Sequence, residues 1–167
     1  MSSYGSTTYG ILGGQAPSWG VETWFNLPDD RQRLDIDDFK GKVLYLYCFQ
    51  SWCPGCHSSG FPTLQAMMRE YGDDGNVAYV AIQTVFEGFD RNTLEKAQEV
   101  ARKYALDIPF GHDPGPEGSR SVVMQRYRTG GTPWIILIGG DGLVRFNDFH
   151  ADPGMLKRQI DHLARDL

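Results

Sequence analysis

The hydrophobic pattern divides the chain into short buried runs alternating with longer segments of helical period. Val43 to Phe49 is a near-continuous aromatic and β-branched run, the mark of a strand covered on both faces. From Pro54 to Tyr71, the residues Phe61, Leu64, Met67, Met68 and Tyr71 recur at helical spacing. Val77 to Ile82 reads as a second buried strand. Beyond it Asn92 is placed to cap a helix, with Glu95 three residues on and Leu94, Ala97, Ala101 and Tyr104 along one stripe. A shorter helix is predicted over Ser119 to Tyr127 and a buried strand over Trp134 to Ile138. Gly140-Asp141-Gly142 then turns the chain into a strand from Leu143 to Asn147. The last helix starts near Pro153 and points Leu156, Ile160 and Leu163 inward.

This order, β-α-β-α-(β)-α-β-β-α, predicts an α/β protein with one central mixed sheet and helices on both faces. The crossover joining the first two central strands should be right-handed. Residues 1–18 carry neither hydrophobic period and read as a flexible or surface-draped N-terminal arm. Residues 19–167 then form one domain.

Composition narrows the class without supplying chemistry. At 167 residues the chain can bury one full core. Its apolar share of 41% rises to about 48% once Gly is counted and Tyr left out, inside the globular range. A net charge of −5 argues against a nucleic-acid partner, which would want a basic face. The longest apolar run, Val43 to Phe49, is far short of the ~20 residues that span a bilayer, so no membrane span is expected. Met1 to Gly20 has no Lys or Arg and no apolar h-region, so it does not read as a secretory signal. A cytoplasmic location follows if this is the natural start, and a periplasmic one if a leader was removed. Three cysteines are too few for a disulfide-dense scaffold.

Their positions matter more than their number. Cys53-Pro54-Gly55-Cys56 follows the first buried strand and opens the first long helix. Two cysteines three apart at a helix start lie close enough to close a small disulfide ring. Cys53 sits at the N-terminal edge, where unpaired N–H groups and the helix dipole favour a thiolate. Thiols in such motifs have pKa values of roughly 3.5 to 7, against ~8.5 for a free cysteine. Pro54 suits the first turn, where its missing N–H costs nothing. Exchange then takes two steps, attack by Cys53 and resolution by Cys56. Cys48, mid-strand, reads as an inert core thiol.

Ser51-Trp52-Cys53-Pro54-Gly55-Cys56, preceded by Asp37-Asp38-Phe39-Lys40-Gly41-Lys42, resembles the thioredoxin-like redoxins, in particular the TlpA/ResA-like and AhpC/TSA-like branch. Gly130-Gly131-Thr132-Pro133-Trp134 resembles that family's cis-proline loop. The resemblance covers roughly residues 17 to 166. It implies a thioredoxin-like fold and a thiol-disulfide oxidoreductase, with Cys53 as nucleophile, Cys56 as resolving thiol and Pro133 packed beside them. Trp52, Pro54, Gly55 and Thr132 would face the substrate, a disulfide-containing protein or small molecule, and a redox donor or acceptor protein would complete the cycle. No cofactor beyond the dithiol and no metal is implied. The 77-residue gap from Cys56 to Pro133 leaves room for an added strand–helix segment at about residues 77–108.

The sequence also departs from that pattern. Tyr47 stands where thioredoxins carry a buried Asp, which leaves proton handling to Cys56, water or another acid such as Glu87. The helix proline, Pro62, comes one residue late and follows Gly60, which predicts a kink over Gly60–Pro62. The peroxidase pattern P-x-x-x-T-x-x-C is absent, since Leu46 and Gln50, or Phe49 and Cys53, fill its Pro and Thr positions.

Other readings stay open at this point. A zinc site would need four ligands, and no second CxxC or H-x₃₋₅-H is present. Cys53-Pro54-Gly55-Cys56-His57 matches the string for c-type haem attachment, but the α/β pattern does not fit a small helical cytochrome. A redoxin-fold module that binds or senses without turnover, and an atypical thiol peroxidase, are the functional alternatives. His57 is expected exposed in the first turn and His112 in a Gly/Pro-rich loop, with His150 and His162 on the surface. Trp52, Phe49 and Trp134 would flank the site.

Overall fold

The computed structural model describes residues 8–149 and 151–167. Six strands form one sheet in the order β1 (Thr23–Phe25), β4 (Phe110–Asp113), β3 (Val77–Thr84), β2 (Val43–Phe49), β5 (Trp134–Ile138), β6 (Val144–Asp148). The strands β2, β3 and β4 run parallel, and β1, β5 and β6 pair antiparallel. The expected mixed sheet is therefore present.

Strand β2 lies at its centre, and every residue from Val43 to Phe49 is buried. The period-2 alternation of a strand divides them between two cores. Val43, Tyr45, Tyr47 and Phe49 enter one core with α1 (Phe61–Tyr71), α2 (Leu94–Lys103) and α4 (Pro153–Arg165). Leu44, Leu46 and Cys48 enter the other, with α3 (Val122–Tyr127) and the buried Trp19. Helices thus cover both faces, three on one side and a single short one on the other. Among the described residues no helix is long and apolar enough to cross a membrane.

Several boundaries differ from the pattern reading. Strand β1 was not expected, because three residues at a sheet edge carry no periodic signal. The cap of α2 is Thr93, whose hydroxyl accepts from Lys96 N–H at 3.2 Å, and Asn92 is buried for another purpose. Residues 8–18 lie along the body. Gly10 and Ile11 donate to Arg128 and Tyr127 carbonyls, and Gln15 bridges Leu143. Asn147 fastens this stretch, donating from its side chain to the carbonyls of Ile11 and Tyr127 and accepting from the Trp134 indole.

Where a kink was expected over Gly60–Pro62, the backbone is helical, and the irregularity lies just before it as a π-helical turn spanning Cys56–Gly60 that runs directly into α1. A π turn is a helix with one residue inserted. That insertion accounts for a proline one position late in the sequence. Gly60 is what the turn needs at its end, because a Cβ there would collide with the Tyr47 hydroxyl and stand 3.0 Å from Pro133 Cβ. Gly60→Ala should lower stability by about 1–3 kcal/mol in urea denaturation, and Tyr47→Phe in the same chain should recover part of it. A Gly60→Ala protein as stable as the parent would contradict this packing.

Candidate active site

The C-terminal end of β2 delivers Cys53 to the start of the helix. Pro54 and Gly55 form its first turn, Pro54 exposed and Gly55 half-buried. The Cys53 and Cys56 sulfurs are joined as a disulfide, with the Cα atoms 5.3 Å apart. Cys53 keeps 8% of its surface, while Cys56 is fully buried. Only Cys53 can meet an incoming sulfur. The Cys56 backbone N–H donates to Cys53 Sγ at 3.2 Å, and the Thr132 hydroxyl donates to the same sulfur at 3.5 Å. Both donors favour negative charge on Cys53 once the pair is opened.

The Thr132-Pro133 bond is cis. Pro133 packs between two glycines of the helix start: a Cβ on Gly55 would lie 3.1 Å from its Cδ, and one on Gly60 3.0 Å from its Cβ. Cys53, Cys56, Gly55, Thr132 and Pro133 therefore converge on one spot. Trp52 is 57% exposed beside them, whereas Phe49 and Trp134 are buried in the two cores.

Tyr47 lies beneath this turn and donates its hydroxyl to the Cys56 carbonyl at 3.2 Å. Burial, then the neighbouring Tyr45, pushes its pKa well above the usual phenol value. It stays protonated and serves as a fixed donor, so it does not take over the proton-accepting role of a carboxylate. Glu87 lies exposed in the β3–α2 loop, where its backbone is held by Gln50 and Asn92. Burial likewise raises the Cys48 thiol, which keeps it protonated and inert.

His57 is not the free, exposed residue expected. Its Nε2 lies 2.7 Å from the Ser51 carbonyl, an acceptor only, so Nε2 carries the proton. Its Nδ1 is 2.6 Å from the Tyr104 hydroxyl, and the ring stacks on Tyr104. His57 thus clamps the helix start to the end of α2, with both ring nitrogens engaged. His150 lies outside the described residues, and His162 is exposed.

Three buried amides complete the mooring, and periodicity gave no hint of them. The Gln50 side-chain oxygen accepts from the Phe86 and Glu87 N–H groups. Asn92 Oδ1 accepts from Trp52 N–H at 2.8 Å, while its Nδ2 donates to the Glu87 and Gly88 carbonyls. Gln83, fully buried, takes the Ser51 N–H at 2.8 Å and the Ser51 hydroxyl at 2.6 Å on Oε1. Its Nε2 faces the Asn92 and Thr93 carbonyls and His112 Nδ1. The loop that presents Cys53 is therefore tied to the β3–α2 segment by side chains 32 to 40 residues away. A polar residue ending a buried strand, as Gln50 and Gln83 do, was the available signal.

His112 is in strand β4, register partner of Gln83, and not in a loop. It accepts from Gln83 as a neutral ring.

A protein-family model described as Redoxin matches residues 13–161. The chain belongs to the Redoxin family. Among solved structures this redoxin is similar to the thioredoxin-like superfamily protein SPOA0173, at 31% identity and a TM-score of 0.82, over 92% of this chain and 97% of that one. It is also similar to a thiol-disulfide isomerase from Corynebacterium glutamicum, at 30% identity and a TM-score of 0.78, over 89% and 96%. A DsbE-like thiol:disulfide interchange protein from Chlorobium tepidum, at 22% identity and a TM-score of 0.69 over 92% and 98%, shares the fold. A search of curated proteins finds no match. The thioredoxin-like fold and the redoxin assignment that the CxxC and Thr-Pro motifs implied are thereby established.

Two outcomes test the mooring of this redoxin's site. Gln83→Ala strands the Ser51 N–H and two carbonyls in the interior and should cost about 3 kcal/mol by urea denaturation; a loss below about 0.5 kcal/mol would refute the network. Burial holds the His112 imidazole below its usual 6.5, outweighing the upward pull of Asp113 and Glu95. The unfolded chain then binds the proton first as pH falls, so stability is full above 6.5 and declines below it. The urea midpoint should drop between about pH 7.5 and pH 5, and His112→Asn should flatten that slope; an unchanged slope would contradict it.

Proposed function

We propose that this redoxin is a thiol-disulfide oxidoreductase working through Cys53 and Cys56, with protein disulfides as its substrates. One observation carries the reading. The Cys53 sulfur, alone exposed of the pair, receives the Cys56 N–H and faces Thr132 at the cis-Pro133 loop.

In the reducing direction, the Cys53 thiolate attacks one sulfur of the substrate disulfide. The substrate S–S bond breaks, and its other sulfur leaves as a thiolate that takes a proton from water. Cys56, deprotonated in turn, attacks Cys53 Sγ, breaking the mixed disulfide and releasing the second substrate thiol. Two electrons have then passed from the dithiol to the substrate. A donor dithiol protein restores the pair by the same two exchanges, and an acceptor disulfide would run the cycle the other way. The Cys56 N–H needs no rearrangement to meet charge on Cys53, and Tyr47 holds the Cys56 carbonyl throughout.

Exposed aromatic surface supports a protein-sized partner. Trp52 stands on one side of Cys53; Tyr9 and Phe149 rest edge-on against Trp134 next to the cis-Pro133 loop. The similar protein from Corynebacterium glutamicum is a thiol-disulfide isomerase, which supports the same reading. A second reading, a slow redox-sensing module, is favoured by Tyr47 standing in place of a carboxylate. Insulin reduction separates them, since sustained turnover supports the enzyme and a reversible disulfide with negligible turnover supports the sensor.

Cys53→Ser should abolish disulfide reduction. Cys56→Ser should accumulate a mixed disulfide with substrate, visible on non-reducing gels and by mass. A Cys53→Ser protein retaining the parental rate would overturn the proposal.

A further inference from the structure

The helix α2 and the turn before it do more than brace the CxxC loop. Between them and the helix start lies an open cavity of about 540 Å³, walled by Trp52, His57, Arg91, Lys96, Glu99 and Lys103. Ser51 and Trp52, the two residues before Cys53, form part of its wall, and Cys53 itself does not line it. Its shape is held firmly: Asn92 fixes the Trp52 backbone, and His57 is pinned between Ser51 and Tyr104.

Charge gives the cavity its character. Lys96 and Glu99 pair with one another at 3.4 Å. Among the described residues, neither Arg91 nor Lys103 has a carboxylate within ion-pair distance. Both instead rest on aromatic faces, Arg91 with its guanidinium 5.0 Å from the Trp52 ring centre and Lys103 with its ammonium 5.3 Å from that of Tyr104. Asp90 is the one other carboxylate on the wall. The lining is therefore net positive on a chain whose net charge is −5. A guanidinium held over an indole face keeps N–H groups available for a planar bidentate acceptor.

We propose that this cavity is a specificity subsite that takes an acidic segment of the substrate polypeptide, an Asp or Glu flanking the reactive cysteine, on Arg91 and Lys103. The proposal rests on the oxidoreductase reading and names its substrate class. A carboxylate seated against Trp52 would hold the neighbouring cysteine at Cys53, and the local positive field would speed encounter. The exposed Tyr9 and Phe149, edge-on against Trp134 next to Pro133, would take an apolar part of the same partner.

The test uses three disulfide-bonded peptides of one length, with Asp/Glu, Gln/Asn or Lys beside the cysteines. Each is reduced by the full-length dithiol protein at low and high salt. The acidic peptide should show kcat/KM roughly fivefold or more above the basic one, and the preference should shrink in high salt. R91E/K103E should reverse that order, and R91K/K103R should retain it. Equal rates for the three peptides, or a preference that R91E/K103E leaves intact, would overturn the subsite. Binding is read separately by titration calorimetry, using the acidic peptide with Ser in place of Cys. If no peptide is reduced but this one binds more tightly than its Lys counterpart, and R91E/K103E loses the difference, the subsite stands and the oxidoreductase reading falls. If the peptides are reduced at equal kcat/KM and bind without preference, the subsite falls and the reading stands.

Discussion

Pro133 packs tightly against the helix start where residues 55 and 60 have no side chain: a Cβ at either would come 3.1 or 3.0 Å from its ring. That close approach organises the rest of the site. It brings the Thr132 hydroxyl to Cys53 Sγ, buries Cys56 and leaves Cys53 at the surface. It also explains the helix itself. A glycine at position 60 facing both Tyr47 and Pro133, followed by a proline at 62, is accommodated by a π turn over Cys56–Gly60.

Tyr47 shows how one substitution alters the chemistry while keeping the architecture. A carboxylate at this place could exchange a proton with the resolving thiol. A buried phenol held far above its normal pKa cannot, and its hydroxyl secures the Cys56 carbonyl instead. The helix start gains a rigid floor, and proton transfer during resolution falls to solvent or to the thiols. The second tether is polar. Gln50, Gln83 and Asn92 bind the residues just before Cys53 to the β3–α2 segment, so the same segment that walls the charged cavity also fixes the loop leading to Cys53.

Much of this was legible in the sequence. The run Val43–Phe49 announced the central strand because burial on both faces demands it, and the CxxC and Thr132-Pro133 motifs announced the place where the cysteine pair meets the cis-proline loop. What stayed hidden has physical reasons. Strand β1 is three residues long and exists only through its pairing with β4. The late proline was visible, but that it marks a π turn depends on Tyr47 and Pro133 meeting Gly60 in space. The buried amides follow no period, and their partners lie 32 to 40 residues away. His112 sits among Gly and Pro residues that suggest a loop, yet pairing with Gln83 and Thr23 makes it a strand residue.

The central claim is that Cys53 and Cys56 form an exchangeable redox pair and not a structural clip. Equilibration of the full-length protein across glutathione buffers, followed by thiol alkylation and mass analysis, tests this directly. The account predicts one reversible two-electron transition confined to Cys53 and Cys56, at a potential between about −120 and −270 mV, with Cys48 a free thiol at every potential. A pair that stays oxidised below about −300 mV, as structural disulfides do, or a transition that involves Cys48, would contradict it.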